Sequence, residues 1–326
     1  MQCDITRERW PYHTPFRIAR GVETELAVIT VRLTDALGRT GWGEASGVDY
    51  EGETIDSMIA QLDGVRPRLT DGLTRAALQG LLPAGGARNA IDCALWDLEA
   101  KATGVPAWRT AGLAHAGPVT TAMTIGIGSD DEVREKSRAI RGWPVIKMKA
   151  DAVSHLGPVR IAHQECPTAR FIVDANQSWT VELLNQLGPE LARLNVALIE
   201  QPVKKGTDAE LVRYTGTIPL AADESCVDRS SLAGLRGLYH VVNIKLDKTG
   251  GLTEALALAA EARSQGLGIM IGCMAGSSLA MAPAAIIAQQ AQFVDLDGPL
   301  LHSADRPNGL RYDMGVMSFP SSALWG

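Results

Sequence analysis

Cysteine is scarce and scattered. The five residues Cys3, Cys93, Cys166, Cys226 and Cys273 contain no CxxC pair. An odd, dispersed set of this kind excludes a disulfide framework and a thiolate zinc cage, and reads as reduced thiols. Long apolar runs are missing as well: nowhere do about 18 apolar residues follow one another, as a membrane-crossing helix requires. The N-terminus MQCDITRERW carries charges where a secretion signal would need an apolar core. A cytoplasmic protein with no membrane association is the expectation. Dense basic stretches are also absent, and 31 Lys and Arg against 37 Asp and Glu give a net charge of −6 with His neutral. Nucleic acid is therefore not expected as a partner. The six histidines form no ligand pattern. Neither GxSxG nor HExxH occurs, and Gly126-Ile127-Gly128 lacks the third glycine of a dinucleotide fingerprint. Serine-hydrolase, zinc-protease and nicotinamide chemistry have nothing to stand on.

What the chain does have is a regular alternation. From Val119 onward eight short runs rich in Val, Ile and Leu recur: VTTAMTI, PVIKMK, RFIVDA, VALIEQ, IPLAAD, HVVNIK, LGIMIG and QFVDLD. They begin at 119, 144, 170, 196, 218, 240, 267 and 292, so the intervals are 22 to 27 residues, the length of one strand-plus-helix unit. Between them, ELLNQLGPELARL and TEALALAAEARSQG place apolar residues at helical spacing. Eight such units predict a parallel sheet that closes into a (β/α)8 barrel. The first part of the chain reads differently. ELAVITVRL and GRTGWGEA are strands joined by the turn DALGR, and mostly helical stretches such as RNAIDCALWDLEAKA follow. The fold class expected is α/β, a modified (β/α)8 TIM-type barrel with an N-terminal α+β capping domain. Boundaries are placed at 1–112 for the capping domain, 113–298 for the barrel and 299–326 for a C-terminal segment that packs back on the cap. Trp96, Trp108 and Trp143 fit apolar faces or element ends and are assigned to packing.

Charged residues end one apolar strand after another. In a closed barrel those ends converge on one mouth, where such folds place their chemistry. The second strand ends in Lys147-Met148-Lys149, and alternation sends both lysines to one side. The third ends in Asp174-Ala175-Asn176, the fourth in Glu200-Gln201, the fifth in Asp223-Glu224, the sixth in Lys245 and the eighth in Asp295-Leu296-Asp297. Asp174, Glu200 and Asp223 form a hard oxygen cage suited to Mg²⁺. A lone Asp at such a position more often caps a loop or a helix, but three on successive strands reverse that weighting. Lys149 and Lys245 should face each other across the mouth. Each alone reads as a structural ion pair. Together, beside a divalent cation and Lys147, their pKa values are expected to be depressed, making one a base while the other is an acid.

The ordered set KMK, DAN, EQP, ADES, NIKLDKTGG and VDLDGP resembles the muconate-lactonising branch of the enolase superfamily, and within it the proteobacterial dipeptide epimerases. The likeness runs from WPYHTPFRIARG through LPAGGARNAIDCALWDLEAKA to VDLDGPLL, nearly the whole chain. The resemblance implies that Asp174, Glu200 and Asp223 bind Mg²⁺, which holds the substrate carboxylate and stabilises an enediolate. It implies that Lys149 and Lys245 are the acid/base pair, that Lys147 supports them, and that Asn176 lies just outside the metal's ligands. Asp295 and Asp297 would bind the free α-ammonium of a dipeptide, although Asp297 could instead cap the Gly298-Pro299 turn. Arg20, with Arg17, Asp49, Tyr50 and Glu51 as further candidates, would read the substrate side chain, an arginine gripping a carboxylate through paired hydrogen bonds. Many epimerases outside the proteobacterial group carry glutamate where this chain has Gly276, which affects contacts around the dipeptide. The activity implied is epimerisation of L-Ala-D/L-Glu from peptidoglycan. N-acylamino acid racemisation, succinylbenzoate formation, cycloisomerisation and a silent dipeptide-binding barrel are the alternatives. Superfamily relatives assemble into dimers or octamers, and no feature of the sequence chooses between them.

Overall fold

The computed structural model describes residues 1–18, 21–70 and 72–326. Strands β1 (Gln2–Ile18), β2 (Gly21–Thr34) and β3 (Thr40–Ala45) form an antiparallel sheet in that order. The two faces of β2 have different partners, as a period of two requires. Ile29, Val31 and Leu33 join the core under the helices, whereas Leu26 and Val28 pack with Tyr12 and Leu301 on the opposite face. Helices α1 (Ile55–Val65), α2 (Arg75–Gln79) and α3 (Gly86–Thr103) cover the first face, and α4 (Ala107–Thr110) follows. Helix α3 lies directly on β3 because Gly41 and Gly43 admit it: a Cβ at either position would sit 2.1 Å from a carbonyl oxygen of the helix. The long strand β1 does not show in the sequence pattern. Its charged residues and its prolines, Pro11 and Pro15, suit an edge strand that faces water.

The eight-stranded parallel sheet runs in chain order through β5 (Met123–Ile125), β6 (Val145–Lys149), β7 (Arg170–Asp174), β8 (Val196–Glu200), β9 (Leu220–Ala222), β10 (Val241–Ile244), β11 (Gly268–Ile271) and β12 (Phe293–Val294). It curls into a TIM-type barrel. The two edges meet just before β5, where Ala122 N–H donates to the Val294 carbonyl at 2.8 Å. The first strand differs from expectation. VTTAMTI is broken after Thr120, so that β4 (Val119–Thr120) pairs with a C-terminal hairpin, β13 (Tyr312–Asp313) and β14 (Val316–Met317), and only β5 joins the barrel. Helices α5 (Asp130–Ala139), α6 (Leu156–Glu165), α7 (Val181–Arg193), α8 (Leu232–Leu235), α9 (Leu246–Thr249), α10 (Leu252–Ser264) and α11 (Ser278–Ala288) connect the strands. Among the described residues no helix is long and apolar enough to cross a membrane.

Strand alternation positions the site. Ala122, Ile172, Leu198, Ala221, Val241 and Met270 fill the barrel interior as one apolar layer. Phe171, Val173 and Ile199 point the other way into the core beneath the helices. Two residues beyond the inward apolar layer, the same alternation turns Asp174, Glu200, Asp223 and Asn243 inward at the C-terminal end, and Lys245 lies two residues further on. The apolar layer is the floor on which these charges stand.

Candidate active site

The strand ends supply the polar side chains, and neighbouring strands hold them in register: Lys149 opposite Asp174, and Asp174 opposite Glu200. Lys149 Nζ donates to Asp174 Oδ2 at 2.7 Å and to Asn176 Oδ1 at 3.2 Å. Lys147 Nζ donates to Asp295 Oδ2 at 2.7 Å and makes ion-pair contacts with Glu200 Oε2 at 2.7 Å and Asp174 Oδ2 at 3.2 Å. Lys245 Nζ donates to Asp223 Oδ2 at 2.8 Å. Asp297 Oδ2 accepts the Thr124 N–H at 2.6 Å. All lie at the barrel mouth, where a cavity of about 430 Å³ is lined by Lys147, Lys149, Asp223, Lys245, Asp295 and Asp297. Tyr50 and Asp49 line the same cavity from the capping side. Glu51 instead pairs with Lys205 at 2.5 Å on the surface. Arg20 lies outside the described residues, as does the side chain of Arg17.

The electrostatics are those of a cluster short of positive charge. Asp174, Glu200, Asp223, Glu224, Asp295 and Asp297 are buried alongside Lys147, Lys245 and Lys248, with the partly buried Lys149 beside them, so six carboxyl groups share four ammonium groups. Burial, with repulsion from Asp174, pushes Glu200 up to about 7. Burial and the neighbouring Asp295 push Asp297 up to about 7 as well. Asp174 and Asp223 move the other way despite burial, because Lys149 and Lys147 stand beside the first and Lys245 and Lys248 beside the second. Burial lowers Lys147 and Lys245, but Asp295, Glu200 and Asp174 around the first, and chiefly Asp223 around the second, outweigh it and hold both well above the usual lysine value.

The donor set suits a hard divalent cation. Three buried carboxyl groups end three adjacent strands, with no thiolate or imidazole among them, and these hard oxygen donors match such an ion. Glu200 Oε2 is buried and receives no aligned hydrogen bond, despite its contact with Lys147. Among the described residues no three His, Cys, Asp or Glu side chains converge closely enough to enclose an ion as they stand, because the ammonium groups sit between the carboxylates.

Three residues at the site are absent from the sequence-based selection. Asn243 Nδ2 donates to Glu200 Oε1 at 2.7 Å, and Lys248 Nζ donates to Asp223 Oδ1 at 2.6 Å and to the Asn243 carbonyl at 2.9 Å. Asn243 was open to discovery, since it precedes Lys245 by two on the same strand face. Lys248 sits beyond the strand, where alternation gives no guidance. In the sequence Glu224 stands out only as the neighbour of Asp223. It is buried, lines the cavity, and is raised by burial and by Asp223. At Gly276 a Cβ would approach the Ala280 Cβ to 2.7 Å, so a larger side chain there requires α11 to give way.

Comparison with known proteins agrees with this arrangement. Residues 1–112 match the mandelate racemase / muconate lactonizing enzyme N-terminal domain, and residues 131–322 match the enolase C-terminal domain-like family. The chain belongs to the mandelate racemase/muconate lactonizing enzyme family. Within that family it is 44% identical to an L-Ala-D/L-Glu epimerase of Escherichia coli K12 across 96% of this chain and 98% of that one. It is 42% identical to an N-acetyl-D-glutamate racemase of a Pseudoalteromonas species across 88% of this chain and 91% of the relative. Among solved structures, an enolase family member from Agrobacterium tumefaciens with homology to dipeptide epimerases, bound to sodium and L-Ala-L-Glu, superposes with a TM-score of 0.96. That protein is 41% identical, and the match covers 99% of both chains.

Proposed function

We propose that this member of the family is a Mg²⁺-dependent dipeptide epimerase acting on L-Ala-D/L-Glu by 1,1-proton transfer at the C-terminal residue. The observation that carries the reading is the joint placement of Lys149 and Lys245 in one cavity with the carboxylate cluster and with Asp295 and Asp297. Asp174, Glu200 and Asp223 would hold Mg²⁺, which when bound lends positive charge to the substrate carboxylate and offsets the negative charge of the carboxylates around the site. Lys149 Nζ removes or returns the α-proton on one face, and Lys245 Nζ does so on the other. The proton lost to one lysine is replaced by one from its counterpart, so the stereocentre inverts with no net change in composition. Lys147 anchors Asp295 and Glu200, and Asn176 orients Lys149. Asp297, with Asp295 behind it, would receive the α-ammonium of the N-terminal residue. Tyr50 and Arg20 would contact the substrate side chain. Residues 1–112 then serve as the cap that sets specificity, 113–298 as the catalytic barrel and 299–326 as the segment that ties the two together. The physiological setting that follows is recycling of peptidoglycan peptides in the cytoplasm.

A second reading has specific support. Asp295 is already paired with Lys147, and burial favours the neutral form of Asp297, so this end of the cavity also suits an uncharged acyl group. N-acylamino acid racemisation is that alternative, and the Pseudoalteromonas relative is named an N-acetyl-D-glutamate racemase. Incubation with Mg²⁺ and either L-Ala-L-Glu or N-acetyl-L-glutamate, followed by stereospecific chromatography, separates the two. Conversion of the dipeptide at the higher kcat/KM supports epimerisation; preferential conversion of the acetylated amino acid replaces it with the second reading.

A further inference from the structure

The turn that follows Lys245 is held from outside the barrel by the capping helix α3. Arg88 donates from Nη2 to the Thr249 carbonyl at 2.7 Å and from Nε to the Gly250 carbonyl at 3.1 Å. One turn further along the same helix face, Asp92 accepts the Thr253 N–H at 2.9 Å, and two turns along, Trp96 Nε1 donates to the Thr253 hydroxyl at 2.9 Å. Gly250 and Gly251 have φ of +66° and +115°, and a Cβ on either would collide at 2.4 Å with Arg88 or Asp92. The turn is thus pressed against the helix with no room for adjustment.

From inside this clamp Asp247 reaches back to the cap. Its Oδ1 accepts the N–H of Gly47 at 3.0 Å, a buried contact between residues 200 positions apart in the chain. The next N–H, that of Val48, is donated to Glu53 at 2.9 Å, and Glu53 also accepts the Gly86 N–H at the start of α3. Two carboxylates therefore hold two consecutive amides of the loop that carries Asp49 and Tyr50 over the cavity. Asp247 is two residues from Lys245 and does not line that cavity.

We propose that Asp247 is a positioning residue that couples the placement of the 47–50 loop to the working position of Lys245, so that the cap governs one of the two proton-transfer faces and not the other. Lys149, on β6 and bonded to Asp174 and Asn176, shares none of these supports. The inference rests on the two-lysine reading above and predicts a stereochemical asymmetry that general damage to the fold does not produce.

The test is exchange of the substrate α-proton in D₂O, followed separately for L-Ala-L-Glu and L-Ala-D-Glu with Mg²⁺. Lys149→Ala and Lys245→Ala identify the epimer that each lysine deprotonates. In Asp247→Ala, exchange from the epimer served by Lys245 should fall about 10-fold or more, the size set by loss of one buried hydrogen bond, and exchange from the other should stay within about 3-fold. Asp247→Asn keeps an acceptor for the Gly47 N–H and should restore most of the lost rate. Equal losses for both epimers overturn the proposal, as does an asparagine variant no better than alanine. Should Asp247→Ala fail to fold, Arg88→Met loosens the same turn from its other end and must show the same asymmetry; symmetric loss there also overturns it. Absence of exchange from both epimers in the unmodified enzyme would refute the epimerase reading itself, an outcome distinct from symmetric loss in a variant.

Discussion

Lys149 makes two contacts in its cavity, and its removal separates the roles of the two lysines. Lys149→Ala should reduce epimerisation by at least about 10²-fold, the lower end for a lost general acid or base. Exchange of one epimer through Lys245 should persist, and unchanged epimerisation would refute a two-base mechanism. Asp297 offers a second residue-level test. Asp297→Asn should raise KM for dipeptides more than for N-acylated analogues, because only the former present an ammonium to the carboxylate. Equal increases in a steady-state comparison would leave Asp297 only its structural role of accepting the Thr124 N–H, since its side chain makes no capping bond to the turn it precedes. At this scale the sequence was readable where alternation applied. Asp174, Glu200 and Asp223 could each be found by counting inward from an apolar strand. Lys248 and Asp247 could not, since both occupy a turn whose geometry is set by contact with α3. Nor could the raised pKa values of Lys147 and Lys245 be read, because they depend on the carboxylates that surround each one.

Helix α3 joins the two halves of the molecule through polar side chains on a mostly buried surface, and one of them carries a measurable cost. Burial raises Asp92 to about 6, only partly opposed by the Thr253 N–H and by Arg75 and Arg88. Its folded-state pKa therefore exceeds the unfolded value, so the fold binds the extra proton. The stabilisation from that proton is present at pH below about 4 and is lost as pH rises through about 6. A shift of about two units corresponds to about 3 kcal/mol. Relative to the native protein, Asp92→Asn should therefore gain up to about that amount between pH 4 and pH 7 in chemical unfolding. Parallel stability curves would contradict the assignment. The pattern of RNAIDCALWDLEAKA was sufficient to locate this helix, but not to reveal that Arg88, Asp92 and Trp96 face the barrel. The broken first barrel strand stays hidden because its partner, the C-terminal hairpin, lies far away in the chain; β1 stays hidden because its charges and prolines mask the strand pattern, although its partner β2 begins three residues after it ends.

For the molecule as a whole, one ion-pair network joins the cap, the barrel and the C-terminal segment. Arg306 donates from Nη2 to Glu44 Oε2 at 2.6 Å and to the Thr30 hydroxyl at 2.8 Å, and also pairs with Glu8. Glu44 in turn accepts the Ser277 N–H at 2.7 Å, at the start of the loop-to-helix turn beside Gly276. Arg306→Ala would leave Glu44 buried without its counter-charge and should destabilise the protein by about 3–5 kcal/mol. A loss below about 1 kcal/mol in denaturant unfolding would mean that the network is dispensable. The central claim is the movement of a proton at an α-carbon. It is tested most directly by proton NMR of the purified protein with Mg²⁺ and L-Ala-L-Glu in D₂O. The account predicts that the glutamate α-proton signal disappears while the L,D diastereomer accumulates with deuterium at that carbon, and that chelation of the metal stops both. A signal that persists, with no second diastereomer, would contradict it.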